Sequence, residues 1–187
     1  MKTYQAHLKS TSPYSQSRHY TVEKLSKEGA NDYEMRTWRN RMHVTPDGYV
    51  FIPPTAFKNC LSEAAKFLSI QIPGKGKATF TKHVEAGILV TTMVPLRVKA
   101  ADVPGEELFV PASGRRGDGK RVTKMFPMIA EWEGDVIFHV IDETVTRDIL
   151  AQHLTEAGKL IGIGRFRPRN NGYYGRFDVT ALEEINA

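Results

Sequence analysis

A chain of 187 residues with 41% hydrophobic content suits a single domain with a real core, and its net charge of +5 admits an anionic partner without requiring one. One cysteine, Cys60, excludes an intrachain disulfide and a cysteine-rich zinc site, and it points to a reducing, cytoplasmic setting. The start MKTYQAHLKS lacks the apolar core of a secretory signal, and no run reaches membrane-spanning length. The histidines are scattered, with no HxH, HExxH or CxxC spacing, so no metal or cofactor is expected.

Thr3–Ser10 alternates Tyr4, Ala6 and Leu8 with polar residues, the period-two signature of a half-buried strand. Thr11–Tyr20, TSPYSQSRHY, reads as a polar aromatic loop in which Arg18 suits a phosphate contact. Asn31–Met42 reads as a short helix capped by Asn31, with Asp32 and Glu34 in its first turn and arginines toward its end, where the helix dipole favours them. Asp47-Gly48 marks a turn before a strand at Tyr49–Ile52. Thr55–Leu68 is the clearest helix, with Phe57, Cys60, Leu61, Ala64 and Leu68 on one stripe; Cys60 is read as core rather than as a nucleophile. Ile72–Thr79 is a basic glycine loop offering Lys75 and Lys77, but Ala78 stands where a phosphate loop needs Ser or Thr, which argues against nucleotide hydrolysis.

Ile88–Val98 reads as one strand, with Pro95 placing it at an edge or bulge. Ala101–Lys124 carries a glycine-rich basic cluster, Arg115, Arg116, Lys120 and Arg121, and reads as a hairpin or a mobile finger inserted into the domain. Val122–Glu133 and Val136–Ile141 read as strands around a turn at Glu133-Gly134-Asp135. Thr146–Ala157 is an amphipathic helix with Gly158 as its stop, Gly175–Val179 a closing strand, and Ala181–Ile185 a short helical turn.

The chemistry concentrates in Gly158–Phe177, GKLIGIGRFRPRNNGYYGRF, which holds four arginines and no acid. Gly162, Gly164, Gly172 and Gly175 permit positive φ and the close approach of another backbone. Successive N–H groups in such a loop form an anion nest. Arg165, Arg167 and Arg169 would share one face of an extended segment. Donors, cations and rings together suit a phosphate backbone with stackable bases. The same composition describes an ordinary surface hairpin, with Asn170-Asn171-Gly172 as its turn, and both readings stand at this point.

Ile161-Gly162-Ile163-Gly164, the basic run to Asn171, and Gly172-Tyr173-Tyr174-Gly175 resemble the C-terminal glycine-rich loop of the RAMP superfamily, the ferredoxin-like RNA-binding proteins of CRISPR systems. The resemblance covers this stretch and the helix before it. It implies an α+β fold, a ferredoxin-like/RRM-like antiparallel sheet with helices on one face, a basic hairpin insertion at 101–124 and the glycine-rich loop, in a single domain over 1–187. It also implies a thumb role for the hairpin and side-by-side assembly along a strand. The chain is short for the family's filament-forming subunits, which suggests a divergent or minimal member of the kind a virus or mobile element carries.

The favoured function is a non-catalytic binder of single-stranded nucleic acid, DNA or RNA. Its phosphate contacts are Arg165, Arg167, Arg169, Arg176, Arg115, Arg116, Lys120, Arg121, Lys75, Lys77 and Arg18. Tyr173, Tyr174 and Phe166 are the stacking candidates, although Phe166 also suits the core. One alternative is a metal-independent ribonuclease using His19 with Tyr14 or Tyr20. Another is an interaction factor that mimics or blocks a CRISPR-type nucleoprotein complex.

Overall fold

A computed structural model describes residues 1–112, 117, 119 and 121–185. Its centre is β1 (Lys2–Ser10), where the alternation buries Tyr4, Ala6 and Leu8 completely. Strand β1 lies between β7 (Glu133–Val140) and β8 (Phe177–Ile185), antiparallel to both, and β3 (Ile88–Val90) extends the sheet beyond β7. The order β3-β7-β1-β8 means that β1 and β3 are parallel with β7 between them, and β7 and β8 are parallel with β1 between them. Helix α2 (Pro54–Leu68) lies in the first connection and α4 (Arg147–Glu156) in the second. Two interleaved split βαβ units of this kind make the ferredoxin-like fold.

Both helices form where the sequence permits. Pro54 opens α2, its fixed φ being suited to the first turn, and Ser69 at φ +45 closes it. Thr146 caps α4, its hydroxyl accepting from the Ile149 N–H at 3.4 Å. Phe57, Cys60, Leu61 and Ala64 of α2 and Leu150 and Leu154 of α4 join Tyr4, Leu8, Val136 and Phe138 in one core, so both helices cover the same sheet face. Each fully buried Leu or Phe there contributes about 1.5–3 kcal/mol. Cys60 is core as expected: its Sγ contacts Ala157 O at 3.4 Å, and burial pushes its pKa up to about 12.

His153 is a polar group enclosed in that core. Its Nδ1 bonds Ile149 O at 2.8 Å and its Nε2 is buried without a partner among the described residues, so burial holds its pKa below the usual histidine value. The folded state therefore binds this proton less readily than the unfolded chain. The stability contribution is intact above the unfolded pKa and declines as pH falls through it. His43, lowered by burial and by the Arg18 charge, adds to the same trend. The expected result is a falling denaturant midpoint between pH 7 and pH 5, with a shallower fall in His153→Gln. An identical slope in that variant would assign the effect to other groups.

Several elements differ from the sequence expectation, each for a packing reason. The strand expected over Ile88–Val98 is two strands, β3 and β4 (Val94–Lys99), and β4 leaves the main sheet to pair with β2 (Tyr49–Ile52) in an irregular register at Pro95. Glu133-Gly134-Asp135 is not a turn but lies inside β7; Gly134 is required because a Cβ there would stand 2.5 Å from Val94 Cγ1. Gly158 does not stop α4: the helix runs on through a π-helical turn, Ala157–Ile161, and ends at Gly162 with φ +72. Gly158 instead lies directly against Phe177 O. The tail Ala181–Ile185 is strand, not helix, because it completes the ladder with β1. A short helix, α3 (Thr81–Gly87), had no sequence signal strong enough to predict it. Helix α1 (Ala30–Thr37) has Gly29 rather than Asn31 at its N-cap position and continues as a 3-10 turn, Trp38–Arg41.

The remaining pair, β5 (Gly105–Pro111) and β6 (Arg121–Pro127), forms the expected basic hairpin. Glu34 fixes its base: the carboxylate accepts from Met125 N at 2.8 Å and pairs with Arg41 at 2.8 Å. Glu34 is thus a buried clamp rather than a dipole-matching surface acid.

Candidate nucleic-acid interface

Beyond Gly162 the chain forms a narrow irregular hairpin. Its rungs are Ile163 N to Gly175 O at 2.9 Å, Tyr174 N to Phe166 O at 3.0 Å, and Gly172 N to Arg167 O at 3.0 Å. A 3-10 turn at Pro168–Asn170 makes the tip, and Asn171 at φ +57 returns the chain. The hairpin docks on the segment after β1: Arg165 N donates to Ser15 O at 2.8 Å and Gly175 N to Pro13 O at 2.7 Å. The glycines admit a close backbone approach as expected, but the backbone is the chain's own. Gly164 faces Ser15 O and Tyr14, Gly172 faces Phe166 O, and Gly175 faces Ile163 O. The N–H groups of Arg165, Gly172, Tyr174 and Gly175 are spent on these contacts rather than on an anion nest.

The arginines do not share one face, because Phe166 at φ +54 and the 3-10 turn break the extended path. The Arg165 guanidinium stacks on Phe126 of β6 at 3.5 Å from the ring centre, and burial lowers its pKa in spite of the Glu106 carboxylate nearby. Arg167 pairs with Glu63 of α2 at 2.6 Å. Arg169 lies over Phe67, one turn further along α2, at 5.6 Å. Arg176 donates to Lys159 O and Tyr173 O, both at 3.2 Å, and so braces the loop. A run without acids in sequence thus acquires acidic neighbours from elsewhere in the fold.

Three segments converge on a groove of about 490 Å³: the loop around Arg18, one side of α2 from Thr55 to Glu63, and the glycine-rich loop with Arg165, Phe166 and Arg167. His43 also lines it, half-buried against Phe51. Phe166 and Tyr173 are 46% and 57% exposed, each edge-on to Tyr174 at 5.7 Å. The Tyr174 hydroxyl donates to Glu106 at 2.8 Å, and burial with that carboxylate raises its pKa to about 12. This bond and the Arg165–Phe126 stack join the base of the β5–β6 hairpin to the loop.

The other candidates are dispersed. Lys75 and Lys77 sit on an exposed loop beyond the C-terminal end of α2 and do not line the groove. Arg121 bonds Phe109 O at 2.6 Å toward the outer end of the β5–β6 hairpin, and Arg115, Arg116 and Lys120 lie outside the described residues. His19 is exposed, Tyr14 is buried beside Trp132 with its pKa raised, and the Tyr20 hydroxyl bonds Thr37 at 3.0 Å. Among the described residues no hydrogen bond joins His19 to Tyr14 or to Tyr20, the two partners considered for general acid–base chemistry. The outer sheet face is no stacking platform either. Gln5, His7, Asp135, Ile137, His139 and Glu183 occupy it, without Phe, Tyr or Trp.

Sequence reasoning missed His43, Asn59, Glu63, Glu106 and Phe126. None stands in a motif, and each reaches the site through tertiary packing alone.

No protein-family model matches the chain, and no curated protein matches it in sequence. Among solved structures, its fold is similar to a chain in the cryo-EM structure of the type III-B Cmr-beta bound to cognate target RNA. The TM-score is 0.53 at 9% identity, over 98% of this chain and 60% of that one. At this identity the likeness is one of fold alone, and this chain spans less than two thirds of its neighbour's length. Among the described residues no helix is long and apolar enough to cross a membrane.

Proposed function

We propose that this protein is a non-catalytic binder of single-stranded nucleic acid, RNA first among them, acting as one RAMP-like domain in a CRISPR-type nucleoprotein. The observation that carries the reading is the groove, where the exposed Arg18 and the exposed ring of Phe166 meet from segments far apart in sequence. Phosphates take the cations, bases take the rings, and such contacts read strand state more than sequence. The fold neighbour is part of a complex bound to target RNA, which favours RNA over DNA. The strand runs past the loop end of the domain, because the outer sheet face offers acids and no large aromatic rings. The β5–β6 hairpin, joined to the loop through Tyr174 and Arg165, acts as a finger on the same strand, and copies of the chain assemble side by side along it.

Binding of this kind is salt-sensitive, with log K falling by about 0.7 per neutralised phosphate for each unit of log salt. The expected result is a steep, linear loss of affinity for a labelled single-stranded RNA between low and physiological salt, with the strand left intact. Light scattering with and without the strand reads assembly in the same samples. Absence of binding at low salt, or an affinity indifferent to salt, would remove the reading.

A further inference from the structure

Phe166 adopts φ +54, a left-handed conformation that bulky side chains avoid because Cβ crowds the backbone. The loop is built to hold it there. Phe166 O accepts from Tyr174 N at 3.0 Å, and Gly172 lies directly against the same carbonyl, where no Cβ fits. Yet the ring is not placed in the core: it is 46% exposed on the groove wall. An exposed ring adds little to packing, so stability does not explain the strain, and strain of this kind collects at ligand sites.

The rest of the groove is dressed for a nucleotide. Arg18 is exposed, and among the described residues its guanidinium has no counter-ion and the Asn59 amide no hydrogen bond. An amide supplies donor and acceptor together, the pair that any base edge needs. A volume of about 490 Å³ accommodates one nucleotide.

We propose that the groove seats one unstacked nucleobase of a bound strand, its face on Phe166, its edge met by the Asn59 amide and its phosphate by Arg18. This inference rests on the nucleic-acid reading above and adds a base-sized subsite to it.

The test uses the full chain and a single-stranded RNA hexamer carrying one 5-iodouridine, which photocross-links to rings stacked on it. The expected cross-link maps to Phe166. Phe166→Gly, which relieves the φ strain and leaves melting undiminished, is expected to weaken hexamer binding about tenfold, the usual worth of one stacked base. Phe166→Trp is expected to retain it. If the hexamer binds with the expected salt dependence but Phe166→Gly binds like the parent, or cross-links fall only on Tyr173 or the β5–β6 hairpin, the base seat is wrong and the nucleic-acid reading stands. If the hexamer does not bind at low salt, both fall together.

Discussion

Gly164→Val is expected to lower the melting temperature by roughly 10 °C and to abolish strand binding in the same step. Two costs combine at this position. Gly164 has φ +75, where a β-branched residue is strongly disfavoured. A Cβ there would also stand 2.5 Å from Tyr14 Cε2 and press on Ser15 O. Neither neighbour gives way cheaply, since Tyr14 is buried beside Trp132 and Ser15 O accepts the Arg165 N–H that docks the loop. Relief requires the 13–15 segment and the loop to part, which opens the groove as it destabilises the fold. Gly48 separates the two costs: it has φ +87, and a Cβ added to it would meet nothing within 4 Å. Gly48→Ala should therefore cost only about 1 kcal/mol and leave binding unchanged. Thermal melting and fluorescence anisotropy on both variants check this. Equal melting losses would mean that backbone strain alone, and not the docking of the loop on Tyr14 and Ser15, accounts for Gly164.

The contrast between these two glycines illustrates what was legible in the sequence. Local signals carried β1, α2, α4 and the basic hairpin, because alternation, a helical apolar stripe and capping residues act over a few neighbours. The order of elements, with the glycine-rich stretch, was enough to predict the ferredoxin-like fold. Glycine was the ambiguous letter. Gly134 and Gly158 looked like turn and stop, but both are close-packing sites against Val94 and Phe177, partners 40 and 19 residues away. The site was half legible for the same reason. The loop declared itself through its arginines, but the acids that absorb their charge, Glu63 and Glu106, come from elements with no motif of their own. Alternation of Arg165, Arg167 and Arg169 implied one charged face only for an extended chain, and Phe166 in the left-handed region removes that premise.

That redistribution of charge decides which reversal tests the interface cleanly. Arg165→Glu with Arg167→Glu, the natural choice from sequence, is expected to damage the fold. The first change loses the stack on Phe126 and sets a carboxylate near Glu106, and the second opposes Glu63 across a 2.6 Å ion pair. Arg18 and Arg169 carry no such burden. Arg18 is exposed on the groove wall, and among the described residues the Arg169 side chain makes only a ring contact with Phe67 at 5.6 Å, worth about 0.5 kcal/mol at an exposed position. Arg18→Glu with Arg169→Glu should therefore leave melting within about 2 °C of the parent. Each exchange removes two units of charge, so the pair takes the chain from +5 to +1. Two phosphate contacts become repulsions, and affinity for single-stranded RNA near 0.1 M salt is expected to fall about a hundredfold or more, with a shallower salt slope. Anisotropy titrations at three salt concentrations, beside melting curves, measure both quantities. A double variant that folds and binds like the parent would show that the strand does not cross this groove.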